Sequence, residues 1–398
     1  MRNLESEEHR ETRGFGIDKL NFYTPNQYVD LVELARARCV DPDKYLIGIG
    51  QERMAVAPVD QDIVSMGANA AEPLLDDVTR ASLGLLVLGT ESGIDQSKAA
   101  ALFVHQLLAL PEGMRVMEIK EACYGATAGL MVALDFVRSH PDRRALVIAS
   151  DIARYGLDTP GEVTQGAGAV AMIVSADPTV LAIEPGTVVA SRSTYDFWRP
   201  NYSTVAFAQG KYSEEVYLAM FRDAWNRASQ MGLTCPEGLA AQLFHIPFSK
   251  MGRKGLRTLQ GMMTDDDYGR LANRFEDSIR YGRQVGNIYT GSLYLGLISL
   301  LENDSSLRPG DRMGLFSYGS GSEAELFFGK LCSGFQSELN SAGHRAMLEG
   351  RTKLCVEEYE RVFNAGLVQD GSRQVLERSD FDAPHYLTGL DRHQRLYR

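Results

Sequence analysis

Apolar residues fall into short runs closed by glycine or small polar residues, and between the runs they recur at helical spacing. Leu83 to Leu88, Ala145 to Ile148 and Gly168 to Val174 read as buried strands, as does Gly16-Ile17-Asp18-Lys19-Leu20-Asn21-Phe22-Tyr23. Asp60 to Leu75 and Gln96 to Leu108 carry the periodicity of helices. Strands alternating with helices predict an α/β fold whose sheet is covered on both faces. Ligands of such sheets gather at the carboxyl ends of the strands, where this chain places Gly89-Thr90-Glu91-Ser92 and Ala149-Ser150-Asp151. A later run, Gly314-Leu315-Phe316-Ser317-Tyr318-Gly319-Ser320-Gly321-Ser322, repeats the strand-and-turn theme and suggests an internal duplication with its seam near Asp177-Pro178. No low-complexity linker separates the halves, so they are expected to pack tightly. The expected organisation is a flexible segment over 1–15, a first half over 16–178 and a second over 179–398.

Lys120-Glu121-Ala122-Cys123-Tyr124-Gly125-Ala126-Thr127-Ala128-Gly129 sets one cysteine between an alternating stretch and a small-residue run that continues apolar. This predicts a nucleophile at a strand-to-helix turn. Unpaired backbone N–H groups and the positive end of a helix dipole would favour its thiolate. The plainer reading is a buried cysteine packed as a small hydrophobe. A base and an oxyanion site would have to accompany a nucleophile. His245, at the end of the apolar run Leu243-Phe244-His245-Ile246-Pro247-Phe248, is a candidate for proton transfer or carbonyl polarisation, against the reading of a hydrogen-bonded core histidine. Glu91 is a carboxylate whose pKa burial would raise toward that of a base, against the reading of a solvated loop residue. Lys250, Arg253 and Lys254 form a basic cluster suited to phosphates, or else a solvated helix face. Asn287, between Gly286 and an apolar helix over Ile288 to Leu301, reads as a helix cap or as a substrate-positioning amide.

Charge and composition narrow the classes. With 398 residues, 44% hydrophobic and 23% charged, the chain is an ordinary globular protein, and a net charge of −11 offers no broad surface for nucleic acid. Five scattered cysteines, Cys39, Cys123, Cys235, Cys332 and Cys355, include no C-x-x-C pair and suit a reducing compartment. A charged start without an apolar core, and no apolar stretch of about 18 residues, predict a cytoplasmic protein without membrane spans. Gly166-Ala167-Gly168 and Gly319-Ser320-Gly321 lack the spacing of dinucleotide or P-loop motifs, so no nucleotide cofactor and no metal are expected.

Several segments in order carry a resemblance. Gly89-Thr90-Glu91-Ser92, Glu121-Ala122-Cys123-Tyr124, Tyr195-Asp196-Phe197-Trp198-Arg199-Pro200, Phe244-His245-Ile246-Pro247-Phe248-Ser249-Lys250-Met251, Gly286-Asn287-Ile288-Tyr289-Thr290-Gly291-Ser292 and Phe316-Ser317-Tyr318-Gly319-Ser320-Gly321 together resemble the bacterial type of hydroxymethylglutaryl-CoA synthase, of the thiolase superfamily. The resemblance spans about Gly16 to Leu331. It implies a duplicated thiolase-like fold, layered αβαβα with two mixed sheets, and a homodimer. It also implies condensation of acetyl-CoA with acetoacetyl-CoA in the mevalonate pathway, with CoA thioesters as substrates rather than cofactors. Cys123 would carry the acetyl group, Glu91 would take a methyl proton, and His245 would hold and polarise the acetoacetyl group. The N–H groups of Cys123 and Ser320 would form the oxyanion hole. Asp41, Lys44, Tyr155, Thr164, Ser213, Lys250, Lys254 and Asn287 would bind substrate, with Asp151 and Asp196 tuning Glu91 and His245.

Gly125 and Val163 depart from the alanine and proline common in that family, and neither removes a functional side chain. A ketoacyl synthase would use a cysteine, a histidine and an asparagine. Against it stand Glu91 and the Ile-Pro-Phe that follows His245. Other readings are a homologue that acts on acyl carrier proteins in polyketide assembly, and a silent paralogue serving as an assembly subunit.

Overall fold

The computed structural model describes residues 14–234 and 236–398. The flexible lead expected over 1–15 therefore falls, up to residue 13, outside the described residues, as does Cys235. From Phe15 onward the chain is built into strand.

Ten strands make one hydrogen-bonded sheet. They are β1 (Phe15–Tyr23), β2 (Leu83–Gly89), β3 (Arg115–Ile119), β4 (Arg144–Ala153), β5 (Gly166–Ala176), β6 (Leu181–Ile183), β7 (Val188–Ser191), β8 (Leu239–Phe244), β9 (Arg312–Gly319) and β10 (Glu323–Leu331). Their order is β8-β9-β10-β6-β1-β5-β4-β2-β3, with β7 beside β10. β2 runs parallel to β3 and β4, and β8 parallel to β9, while the remaining neighbours are antiparallel. Each half is thus a mixed sheet, and β6 joins them by pairing with β1 on one side and β10 on the other.

The β2 strand is buried at every position and β4 and β5 at nearly every one, which follows from helices lying on both faces. Successive side chains of a strand point to opposite faces. Accordingly Ile148 and Ser150 face α1 (Ile63–Ala71) at Gly67, whereas Val147 faces α3 (Gly125–Ser139) at Gly129. A second packed helix, α2 (Ala100–Leu107), lies beside α1. From α3, Thr127 Oγ1 lies 2.8 Å from Tyr294 OH on α7 (Ser292–Asn303) and donates to Ser317 Oγ of β9 at 2.8 Å. These contacts place α3 between the two half-sheets, the middle layer of the expected αβαβα arrangement. Helix α7 is buried from Ser292 to Leu301, as its continuous apolar sequence requires. The far face of the second half is covered by α4 (Gly210–Gln230), α5 (Ser249–Arg257) and α6 (Asp265–Ser278). No helix among the described residues is long and apolar enough to cross a membrane.

Candidate active site

Cys123 sits on a tight turn just ahead of α3, after Ala122 at φ +42°, with the N–H of Tyr124 donating to Glu121 O at 2.9 Å. Two glycines let other strands reach this turn. A Cβ on Gly89 would lie 2.5 Å from Ala126 N, and one on Gly319 would lie 2.6 Å from Glu121 O. The ends of β2 and β9 therefore abut the cysteine turn, bringing Glu91 and Ser320 to it. The Cys123 thiol donates to Glu91 Oε1 at 3.2 Å.

Burial pushes Glu91 up to about 8, and the Asp151 carboxylate adds to the shift. The thiol is not the thiolate expected from the helix dipole. Burial first, and then the Glu91 carboxylate beside it, hold Cys123 well above the ordinary thiol value. The helix begins only at Gly125, and desolvation outweighs its partial charge. The resting pair is a thiol facing a carboxyl group of raised basicity, suited to passing a proton when an acyl group arrives.

Asp151, fully buried at the end of β4, positions Glu91 through its backbone. Its Oδ1 accepts from Thr90 Oγ1 at 2.8 Å, Glu91 N at 2.9 Å, Ser92 N at 3.0 Å and Ser92 Oγ at 2.8 Å. Its Oδ2 accepts from Thr290 N at 3.1 Å and Thr290 Oγ1 at 2.6 Å. One carboxylate thereby ties the Glu91 turn to the second half.

His245 directly follows β8 and is buried at 2% exposure, and burial lowers its pKa to about 3. It is a neutral imidazole near pH 7, able to donate a hydrogen bond rather than carry charge. The His245 backbone N–H donates to Phe316 O at 2.7 Å and its backbone carbonyl accepts from Tyr217 OH at 2.9 Å, while the ring Nδ1 is buried without a described partner. The hydrogen bonds of Asp196 go elsewhere than His245. It accepts from Thr194 Oγ1 at 2.9 Å, Ser213 Oγ at 3.2 Å, Tyr318 OH at 2.7 Å and Gly321 N at 2.9 Å. Asp196 thus fixes the turn bearing Ser320, and its charge also raises the Cys123 thiol.

Asn287 holds the start of the apolar helix with its oxygen and turns its amide nitrogen toward Tyr155. Its Oδ1 accepts from Tyr289 N at 2.8 Å and Ser292 Oγ at 2.9 Å, holding the start of α7, and its Nδ2 points to Tyr155 OH at 3.5 Å. Tyr155, Phe197 and Tyr289 pack edge to face, with ring centroids 5.9–6.1 Å apart, in one apolar cluster with Cys123 and Ala153. Tyr289 and Phe197 lie within the segments read from sequence, but neither was singled out. The signal was an aromatic residue beside each functional one. Arg199 was also missed, and it is the cation whose charge opposes the rise in Glu91.

The binding residues group in part. Lys44 opens a short helical turn, Lys44–Ile49, that packs on both α5 and the Glu162–Thr164 turn, so the elements bearing Lys44, Thr164 and Lys250 meet. Asp41 is exposed at the start of that segment, where its carbonyl accepts from Lys44 N at 3.0 Å. Thr164 Oγ1 donates to Gly161 O at 2.8 Å. The basic cluster is less free than expected. Lys254 pairs with Glu214 and Arg253 with Glu276, each at 2.5 Å, because α4 and α6 present carboxylates to α5. Lys250 and Lys44 form no ion pair with a described residue. An alanine at Gly125 would place its Cβ 3.1 Å from Ile119 O, and Val163 packs in an apolar cluster with Val29, Leu31 and Tyr359. Among the described residues no group of three or more His, Cys, Asp or Glu could hold a metal ion.

Known proteins resemble this arrangement over nearly its whole length. The family model described as hydroxymethylglutaryl-coenzyme A synthase N terminal matches residues 11–179, and its C-terminal counterpart matches residues 269–398. The hydroxymethylglutaryl-CoA synthase of Enterococcus faecalis is 48% identical over 356 residues, covering 89% of this chain and 93% of that protein. A polyketide biosynthesis 3-hydroxy-3-methylglutaryl-ACP synthase of Bacillus subtilis (strain 168) is 31% identical, covering 92% of each. A crystal structure of an HMG-CoA synthase complexed with CoA superposes with a TM-score of 0.94 at 41% identity, covering 96% of this chain and 99% of that one.

Proposed function

Because the chain belongs to the hydroxymethylglutaryl-CoA synthase family, we propose that it condenses acetyl-CoA, acetoacetyl-CoA and water into 3-hydroxy-3-methylglutaryl-CoA and CoA, in the mevalonate route to isoprenoids. The observation that carries the reading is the Cys123 thiol 3.2 Å from a carboxyl group raised to about 8.

Cys123 attacks the acetyl-CoA carbonyl as its proton passes to Glu91, and Glu91 hands that proton to the departing CoA sulfur, so that CoA leaves as the thiol and Glu91 is ionised again. The N–H groups of Cys123 and Ser320 carry the negative charge on the carbonyl oxygen. Glu91, ionised, then takes a proton from the methyl of the acetyl-cysteine. A thioester acidifies that carbon, and a carboxylate of raised basicity suffices as base, so the step needs no metal or redox cofactor. The carbanion attacks the ketone carbon of acetoacetyl-CoA, whose oxygen takes a hydrogen bond and then the proton that Glu91 removed from the methyl. Neutral His245, its backbone held by Phe316 and Tyr217, would supply that hydrogen bond. Water finally cleaves the cysteine thioester, freeing the carboxylate of the product and the thiol. Lys44 and Lys250, neither ion-paired with a described residue and carried on elements that pack together, suit the CoA phosphates better than Lys254, which is already held by Glu214.

The protein is proposed to act as a cytoplasmic homodimer. Supporting this are β3, which ends the sheet with one edge unpaired among the described residues, and the free thiols of Cys39, Cys332 and Cys355. The carrier-protein reading is the weaker of the two, since the CoA-type relative is 48% identical and the carrier-type relative 31%.

The test is loss of acetoacetyl-CoA absorbance on adding acetyl-CoA. Loss that needs both thioesters and disappears in Cys123→Ala supports the reading. A folded protein that consumes only carrier-bound acetyl groups overturns it.

A further inference from the structure

The loop 154–165 carries Tyr155 and Thr164 and is fastened from behind by the helix Val356–Asn364, nearly two hundred residues away in sequence. Buried Gln165 is its centre. The Gln165 Oε1 accepts from Tyr155 N at 2.7 Å and Gly156 N at 3.2 Å, and its Nε2 donates to Tyr359 OH at 2.8 Å. Tyr359 OH in turn donates to Glu162 Oε1 at 3.1 Å. Glu162 is held by Arg38, whose Nε and Nη2 each donate at 2.8 Å, and it also accepts from Asp158 N at 2.9 Å. Every donor and acceptor in this relay is matched, so the amide of Gln165 has one orientation. Tyr359 and Gln165 are 2% and 4% exposed and Glu162 1%, so water cannot stand in for a lost partner.

The loop's other end is the aromatic wall around Cys123. Tyr155 meets Phe197 and Tyr289 edge to face and lies within reach of Asn287. The backbone at Tyr155 is thus set by Gln165, and Gln165 is set by Tyr359.

We infer that Tyr359 and Gln165 are positioning residues, which hold Tyr155 against the acyl group on Cys123 and make the C-terminal segment part of the catalytic apparatus. The inference rests on the condensing function proposed above. A merely structural part is filled separately, by the ring of Tyr359 packing against Phe363 and by Arg154 stacking on Phe363.

The test is a double-mutant cycle read in kcat/KM for acetyl-CoA, using Tyr359→Phe, which keeps the ring, and Tyr155→Leu. Tyr359→Phe should lower kcat/KM about 5-fold with the loss of the two buried hydrogen bonds of its hydroxyl, and that loss should vanish when Tyr155 is already replaced. Losses that multiply, or no loss in the single variant, overturn the inference. Gln165→Met serves in the same cycle if Tyr359→Phe does not purify as folded protein, and it should lower kcat/KM further by freeing two loop N–H groups. Native enzyme assayed alongside separates the failures. Absent native turnover sinks the function, whereas native turnover with multiplying losses sinks only the positioning role.

Discussion

Glu91 should cost the protein stability in proportion to the basicity it gains. Its pKa stands at about 8 in the folded chain against an ordinary 4.5. A carboxyl group raised on folding favours the folded state only while protonated, so its contribution is whole below pH 4.5 and is lost as pH rises through 8. At ~1.4 kcal/mol per pH unit the full loss has an upper limit of about 5 kcal/mol. Partial access of water to the side chain reduces this to about 2 kcal/mol. Glu91→Gln keeps the shape and removes the charge. It should therefore be inactive in condensation, yet more resistant to urea than the native chain at pH 8.5. Urea transitions at pH 8.5 and pH 5, followed by tryptophan fluorescence and far-UV circular dichroism, give the comparison. The advantage of Glu91→Gln should shrink by more than half at pH 5. An equal advantage at both pH values, or a less stable variant at pH 8.5, would refute the account of Glu91 as a desolvated base.

Other outcomes follow from the same geometry. Glu91→Ala should still take an acetyl label from acetyl-CoA onto Cys123, seen by intact mass, though more slowly because the thiol must lose its proton to water, while condensation falls at least about 10²-fold. Condensation at a native rate would remove Glu91 as the base. Lys250→Glu should raise KM for acetyl-CoA about tenfold, with a dependence on ionic strength, whereas Lys254→Ala should change it about twofold, because Lys254 is already paired with Glu214. Steady-state kinetics at two salt concentrations decide between them. Asp151→Ala removes the acceptor of six hydrogen bonds from four residues and leaves buried donors unmet, so a lower thermal midpoint and loss of condensation should appear together.

What the sequence discloses depends on how local the cause is. The runs Leu83 to Leu88 and Ala145 to Ile148 show themselves because strands covered on both faces must be apolar at every position. Cys123 and Glu91 show themselves because each follows a strand with small residues beside it. The state of the thiol is not disclosed, since the groups that set it, Glu91, Asp151 and Asp196, come from three other parts of the chain. The basic cluster misleads for a like reason. Lys254 and Arg253 look free until α4 and α6 fold back with Glu214 and Glu276. Helix α4 turns an apolar stripe to the sheet, including Tyr217, Phe221 and Trp225, amid enough charge to hide it from a search for apolar runs. The relay from Arg38 through Glu162 and Tyr359 to Gln165 is wholly non-local, and no motif signals it.

Asp151 has a consequence for how this architecture can change over generations. The same carboxylate that holds the Glu91 turn also grips Thr290 across the seam between the halves. If Cys123 is the nucleophile proposed above, a descendant could discard its thiol and lose nothing but turnover. To discard Asp151 it would have to rebuild the join between its two halves. Copies of this gene that drift into silence should therefore lose the cysteine early and the aspartate late, and a chain with Asp151 in place but no Cys123 would be a retired enzyme still wearing its frame.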